Sequence, residues 1–486
     1  MHISDPRFPS ELRSEVEKNL VVASRLEDAQ FRLDAPAFLS SDKLASFIPN
    51  TSQSQPLAEL ADVFTVYIQS PLLAYVDPFA ESRPYLTTSE LAEFQVRTAP
   101  HVSLLADRRL LEWEIRRGNI IVSRSGRVGE AYWVDKKLDG ALVGDSFRVV
   151  PKTPSDGPFI YAVLASSFAR NFLSGSAYGS VVDHASVDQL RTFPMPELAA
   201  TARSKISSTM NKAITAREHA YDLLDEAQTQ LLNANHLLPL NPGDGGDASF
   251  SVPCTEITQP TASACEFRLE AHYHNPAARA AIASLQKSPS RKSSLGALSH
   301  DVIIGGRSKR NYVGSAYGTP FLSGKNIIQI RPSDVKHVSN SETDDLQDML
   351  LERGWILVTR SGTLGRTCFV WHNYEQHAAS EHILRVLPDE ERVDAGYLYA
   401  FLASDHGYEQ IVRFRFGSVI DEISNHQLKQ VVVPLPSPER QKEIGDLVRQ
   451  AYEKRAEALQ LEDEAQEILL NEISGKNTNT MRRQHV

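Results

Sequence analysis

The sequence predicts an α+β chain of two tandem-repeated mixed α/β domains separated by two long helices that form an antiparallel coiled coil. Three observations carry this. The first is a set of five anchors that recur in one order. "FRLDA" at 31–35 returns as "FRLEA" at 267–271, "PYL" at 84–86 as "PFL" at 320–322, and "RRGNIIVSRSGRVG" at 116–129 as "ERGWILVTRSGTLG" at 352–365, each 236 residues later. "YGSVVD" at 178–183 returns as "FGSVID" at 416–421, and "DEAQ" at 225–228 returns at 463–466, each 238 residues later. The second is that each unit begins as a mixed segment and ends as an uninterrupted helix. The third is a matched heptad register in those two helices.

Taken in order, residues 1–30 form an N-terminal helical segment, and its charges leave no apolar core for a signal peptide. The first mixed domain spans 31–196 and the second 267–434. Short β-branched runs such as Asn119–Ser123, Trp355–Thr359 and Gln430–Val433 read as strands, punctuated by Gly, Ser and Pro. Helices are expected at 159–173 and 395–412. The first long helix lies in 197–235 and the second in 435–473. Ser437-Pro438-Glu439 is a helix start, with a cap, a proline in the first turn and an acid near the positive end of the dipole. Residues 236–266, rich in Pro, Gly, Ser and Thr, form the linker between units, and 474–486 a polar tail.

One seam position of the helices reads Ile206, Ala213, Ala220, Ala227 and Ile444, Ala451, Ala458, Ala465. The other reads Leu447, Lys454, Leu461, Ile468 in the second helix and Thr209, Ala216, Leu223, Gln230 in the first. Alanine on one side of a seam lets two helices approach closely. The order globule, helix, globule, helix makes the packing antiparallel. The alternative is two separate amphipathic helices, each on its own domain.

The chain has 486 residues, 41% hydrophobic and 23% charged, which suits two to four soluble domains. No run of 18 apolar residues offers a membrane span. Cys254, Cys265 and Cys368 make no CxxC pair, so a reducing cytoplasm is expected. The net charge is −10, but residues 439–472 hold ten acids against five bases. Residues 303–336 instead hold Arg307, Lys309, Arg310, Lys325, Arg331 and Lys336 against Asp334 alone.

No catalytic or metal-binding motif is present. Gly324-Lys325 is followed by Asn326, so there is no phosphate loop, and there is no G-x-G-x-x-G turn, HExxH or G-x-S-x-G. His372, His377 and His382 share no helix or strand face, and His272 and His274 read as a surface strand. The chain reads as a binder. Arg124-Ser125-Gly126 and Arg360-Ser361-Gly362 each follow an apolar strand and lead to Gly129 or Gly365. That makes a hairpin with an arginine at its shoulder. Arginine's planar fork suits phosphate or base edges, and the alternative is pairing with a local acid.

These features resemble the specificity subunit of type I restriction–modification systems. The residues that carry the resemblance are FRLDA and FRLEA, "PFLSGKNI" at 320–327, "GWILVTRSGTLGR" at 354–366 and "FGSVIDEISNHQLKQVVVPLPSPERQKEI" at 416–444. The first repeat departs from it, since "MPELAATARSKI" at 195–206 lacks the proline, glutamate and glutamine of "PSPERQKEI". The resemblance implies two target-recognition domains, each reading half of a split, asymmetric site on double-stranded DNA. It implies two methyltransferase subunits docked on the helices and their neighbourhood, with motor–nuclease subunits added to the complex. S-adenosylmethionine, ATP and Mg²⁺ are then expected on the partners and no cofactor on this chain. DNA contacts are expected from Arg124, Ser125, Arg127, Lys309, Arg310, Lys325, Arg360, Ser361 and Arg366. The helix pairing or partner surface is expected from Ile206, Ala213, Ala220, Leu223, Ala227, Ile444, Leu447, Ala451, Ala458, Leu461, Ala465 and Ile468. A related defence or modification system, or a paired-domain scaffold that binds protein and not DNA, are the alternatives.

Overall fold

The computed structural model describes residues 54–95, 99–175, 185–240, 250–252, 268–306, 309–343, 346–372 and 374–474. The expected segment 1–30, the first FRLDA, YGSVVD, most of the linker and nearly all of the tail lie outside these residues.

The strands of the first repeat are β1 (Ser54–Pro56), β2 (Ala61–Thr65), β3 (Tyr75–Val76), β4 (Ser82–Leu86), β5 (His101–Ser103), β6 (Ile120–Ser123), β7 (Ala131–Trp133), β8 (Leu142–Val143), β9 (Ser146–Pro151) and β10 (Pro194–Pro196). Those of the second are β11 (Arg291–Ser294), β12 (Ser299–Ile304), β13 (Tyr312–Val313), β14 (Gly318–Leu322), β15 (Lys336–Ser339), β16 (Ile356–Thr359), β17 (Thr367–Phe369), β18 (Ala378–Ala379), β19 (Ile383–Pro388) and β20 (Val432–Leu435). In the first repeat β2-β9-β6-β7 form an inner sheet, β3-β5-β4-β8 an outer sheet, and β1-β10 a small ribbon. Adding ten to each number gives the second repeat. The run expected at Gln430–Val433 pairs two residues later, as β20.

Register locates the two residues by which the repeats differ. The offset is still 236 at β7/β17 and β8/β18. It is 237 at Arg148 and Arg385, which occupy equivalent places opposite Ile121 and Leu357. It reaches 238 where the next helices start. One residue is therefore gained between β8 and β9, and the other between β9 and the helix after it. Arg148 and Arg385 are buried and share a task. Arg148 donates to the carbonyls of Glu112, Trp113 and Glu114 at 2.7–3.0 Å. Arg385 donates to those of Asp348 and Ala379 at 2.6 and 2.7 Å. Each ties the inner sheet to the loop that carries the outer one.

The single helices expected at 159–173 and 395–412 are each broken in two. They are α1 (Gly157–Leu164) and α2 (Ser167–Gly175), then, beyond the long α3 (Ala200–Ala234), α4 (Ala395–Ala403) and α5 (Asp405–Val412). The last helix is α6 (Pro438–Ile473). The break has one cause in both repeats. Ser166 and Ser404 donate back to the carbonyls of Val163 and Phe401 at 2.6 Å, and each accepts an N–H of the next helix. A serine hydroxyl so placed competes with the helix backbone and starts a new helix. His272 and His274 lie on a single 3-10 turn, Ala271–His274, and not on a strand.

Helices α3 and α6 pack antiparallel. Ile206, Met210 and Ala213 share one core with Ala465 and Leu469, while Ala220, Leu224 and Ala227 share another with Ile444, Val448 and Ala451. All eight residues of the first seam position are buried. At the second position Thr209 and Ala216 are buried as expected, but the rest of the row shifts by one residue. Met210, Arg217, Leu224, Leu231 and Val448, Arg455, Glu462, Leu469 are buried, whereas Leu223, Leu447, Leu461 and Ile468 are only half-buried. The physical reason lies in the alanines. Small residues draw the helices together, which widens the contact stripe toward the position four residues on. At 1.5 Å per residue, 35 residues make a rod of about 52 Å.

Ser437 caps α6 by accepting the Arg440 N–H at 3.4 Å. Helix α3 starts at Ala199 with no side-chain cap. Its first turn is held instead by Arg203, which pairs with Asp156 at 2.9 Å and lies over the Phe159 ring. The one glycine of α6, Gly445, is needed where α4 crosses. A Cβ there would lie 1.8 Å from Asp394 Oδ1, and Asp394 caps α4 through the Tyr397 N–H at 2.9 Å.

The seam also buries charge. Arg217 and Glu462 pair across it, both nearly inaccessible. Removing Arg217 leaves the buried Glu462 carboxylate with Arg331 alone, whose own side chain is exposed. Arg217→Ala is expected to cost about 3–5 kcal/mol, and Arg217→Met with Glu462→Met to recover at least half of that. Urea unfolding of the three chains checks this; a single variant as stable as the parent would show that the pair is not buried.

Candidate nucleic-acid interface

The Arg-Ser-Gly turns join β6 to β7 and β16 to β17. A hydroxyl on the last strand residue braces each one. Ser123 Oγ accepts the Glu130 N–H at 2.9 Å and donates to the Arg127 carbonyl. Thr359 Oγ1 accepts the Arg366 N–H at 3.0 Å and donates to the Thr363 carbonyl. Ser123 and Thr359 were not singled out from the sequence, although a hydroxyl residue precedes the arginine in both repeats. Gly129 and Gly365 close the turns at φ 88° and 71°. Their N–H groups donate to the Ser123 and Thr359 carbonyls at 2.9 and 3.0 Å.

The shoulder arginines turn toward the protein. Arg360 donates to Glu422 at 2.7 Å and to the Ile423 carbonyl at 3.2 Å. Ser361 Oγ shares a hydrogen bond with His382 Nδ1 at 2.7 Å. The Gly362 N–H donates to the Asp421 carbonyl at 3.2 Å. Two repeated motifs far apart in sequence, the arginine turn and FGSVID, thus form one structure. In the first repeat Arg124 lies 3.4 Å from Asp145, and Ser125 donates to the same carboxylate at 2.8 Å. Local acid pairing, the alternative weighed above, therefore describes the geometry of both shoulder arginines.

Arg127 and Arg366 require a correction of place. Both cross between the repeats. Arg366 donates to Glu93 at 2.7 Å and to the Gln95 carbonyl, with its side chain 8% exposed. Arg127 donates to Ser333 and Asp334 and also pairs with Glu130 at 3.2 Å. The returning arm of each turn faces the other repeat, with Arg366 buried there and Arg127 partly exposed, so both forks meet protein oxygens.

Lys309 and Lys325 are exposed, and Lys325 lies in a short helix, Gly324–Ile328. Arg310 pairs with Glu381 and sits 4.6 Å over the Phe321 ring. Burial opposes the Glu381 carboxylate, but Arg310 and the backbone outweigh it and hold its pKa below the usual range. The outer sheets and the loops beside them carry further exposed groups that no motif announced. Tyr67 and Tyr317 are 80% and 76% exposed, and Tyr75 and Tyr312 are also exposed. The Lys336 ammonium lies 4.7 Å over the Tyr312 ring. Arg116 is exposed beside Glu114, and Arg109 is held by Asp107, whose carboxyl it draws down to about 2. Exposed rings can stack on bases and exposed cations can meet phosphate. Among the described residues no group of three or more His, Cys, Asp or Glu is arranged to hold a metal ion, and no helix is long and apolar enough to cross a membrane.

Gly365 has no room for a side chain. A Cβ would meet Val412 at 3.0 Å and the Tyr408 ring at 3.2 Å, in a left-handed conformation. Gly365→Ala is expected to destabilise the chain by about 1–3 kcal/mol; an unchanged urea midpoint would show that the turn relaxes freely.

Residues 309–465 match the family described as type I restriction modification DNA specificity domain. No curated protein matches the chain. Among solved structures, the type I restriction–modification system S subunit from M. genitalium aligns at 12% identity over 86% of this chain and 95% of that one, with a TM-score of 0.33. The HsdS subunit from Thermoanaerobacter tengcongensis aligns at 14% identity over 87% and 97%, with a TM-score of 0.28. A chain described in terms of complex assembly and conformational transition of the type I R-M system aligns at 16% identity over 87% and 98%, also at 0.28. Residues 309–465 are thus similar to the type I restriction modification DNA specificity domain, and the first globule repeats the strand order of the second.

Proposed function

We propose that this chain is the non-catalytic DNA-recognition subunit of a type I restriction–modification complex, working in the cytoplasm. Each globule reads one half of a bipartite site on double-stranded DNA. The paired helices and the surfaces beside them receive two methyltransferase subunits, with a nuclease–translocase subunit added in the full complex. S-adenosylmethionine, ATP and Mg²⁺ belong to those partners.

The observation that carries this reading is one scaffold presented twice with different surfaces. The two globules share every strand pairing and sit at opposite ends of an antiparallel helix pair about 52 Å long. Their outer segments differ in sequence, as 87–115 and 323–351 show. One helical turn of DNA spans about 34–36 Å, so the rod can hold two readers more than a turn apart on one face. Two different readers match two different half-sites, which makes the site asymmetric. The acidic outer face of α6 suits protein contact better than phosphate.

The methylome tests this directly. The chain is expressed with and without its neighbouring methyltransferase in a host lacking both, and methylated adenines are mapped. A split motif that appears only with both chains is expected; an unchanged methylome sinks the reading. Salt titration separates DNA binding from a protein scaffold, because phosphate contacts release counterions. Lys325→Ala and Lys309→Ala are each expected to weaken binding and to lower the log–log salt slope by about 1. An unaltered slope removes that lysine from the phosphate contacts.

A further inference from the structure

The two repeats touch each other directly, beside the helix seam, and they do so through equivalent residues. Glu93 and Gln329, 236 apart, form an antiparallel bridge. The Phe94 N–H donates to the Ile328 carbonyl at 2.8 Å, and the Ile330 N–H to the Ala92 carbonyl at 2.6 Å. Each bond is the image of the other, since 92 and 94 correspond to 328 and 330. A local two-fold axis therefore passes between Glu93 and Gln329.

The "DEAQ" glutamines obey the same symmetry. Gln228 of α3 donates to the Ala400 carbonyl at 2.8 Å, and Gln466 of α6 to the Ala162 carbonyl at 2.7 Å. These bonds reach the helices beneath the inner sheets. The bridge at 92–95 and 328–334 lies where the outer layers join the helices: Phe94 sits in the main core and Ile328 and Ile330 pack against it, while the outer strands keep small cores of their own. The helices thus hold the inner sheets, and the bridge, packed on the same helices, ties together the segments that lead out of the outer strands β4 and β14.

Side chains lock the bridge from several directions. Phe94 of the first repeat inserts beside Tyr221 and Tyr452, at 5.3 and 6.1 Å, under the Arg455 guanidinium at 4.4 Å. Arg455 donates to the Gln329 carbonyl at 2.6 Å. Arg331 donates to Asp463 at 2.8 Å and to Glu462 at 3.1 Å on α6. The ion pairs break the symmetry. Arg366 meets Glu93 on one side, whereas the equivalent corner holds Glu130 and Gln329. Two copies of the first repeat would bring Glu93 toward Glu130, so the bridge disfavours that pairing.

We propose that this clasp, centred on Glu93, Phe94, Gln329 and Arg366, is the positioning device that sets the distance between the two readers and hence the spacer between the half-sites. This rests on the reading that each globule binds a half-site. A rod alone fixes where the inner sheets stand. A hydrogen-bonded clasp at the base of the outer layers, seated on the helices, removes the remaining freedom to tilt apart. Glu93, Gln329 and Arg366 are positioning residues and need touch no base.

The test uses the full chain with its methyltransferase and duplexes carrying the methylated motif at the parent spacer and at one or two base pairs more or fewer. The parent is expected to prefer one spacer by at least roughly tenfold in Kd. Arg366→Ala is expected to speed amide exchange at 92–95 and 328–334 in the DNA-free chain and to reduce that preference to less than about threefold. The charge swap Glu93→Arg with Arg366→Glu is expected to restore both. Should the buried variants fail to fold, Arg127→Ala with Asp334→Ala opens the exposed side of the clasp and is expected to shift both readouts in the same direction. Faster exchange with an unchanged spacer preference overturns the proposal, as does unchanged exchange. A parent that binds no spacer variant specifically overturns the DNA reading, and the spacer role with it.

Discussion

The close approach of α3 and α6 is the constraint on which the rest of the structure depends. Ala213, Ala220 and Ala227 face Ala451, Ala458 and Ala465 along an antiparallel seam. Large residues there would hold the helices apart and break the shared cores. Because the seam is narrow, the next row of side chains is drawn in as well. That row includes Arg217, Arg455 and Glu462. The ions are held by geometry on all sides. Arg455 has the Gln329 carbonyl, the Tyr374 hydroxyl and three rings, and Glu462 has Arg217 and Arg331. Buried charge of this kind adds little net stability once its desolvation is counted.

From that seam the duplication acquires its symmetry. Each globule stands on the start of its own helix and the end of the other, and Gln228 and Gln466 make the exchange reciprocal. The two-fold axis then brings equivalent outer segments face to face at Glu93 and Gln329. Identical backbones pair there while the side chains differ. The same chain can thus hold two unlike surfaces in one fixed relation.

The arginine turns show how tertiary contacts redirect a local motif. The turn itself is local chemistry, a hydroxyl brace and a left-handed glycine. The direction of each arginine is not local. Arg360 finds Glu422, some sixty residues on, and Arg366 finds Glu93 in the other repeat. The groups left facing outward are the tyrosines and lysines of the outer sheets and their loops, dispersed in sequence and without a motif.

The sequence by itself determined the duplication, the two helices and the alanine seam. These are periodic features, and periodicity survives in one dimension because helix geometry repeats it. It also showed that two residues separate the repeats, though only strand register could place them on either side of β9. Tertiary structure alone decided the second seam row, since helix separation depends on both partners at once. It alone decided the breaks at Ser166 and Ser404, where a hydroxyl outcompetes an otherwise continuous helical pattern. And it alone decided that Arg127 and Arg366 clasp the repeats together. A side chain's partner is set by which surfaces meet in space, and Glu93 and Arg366 are 273 residues apart.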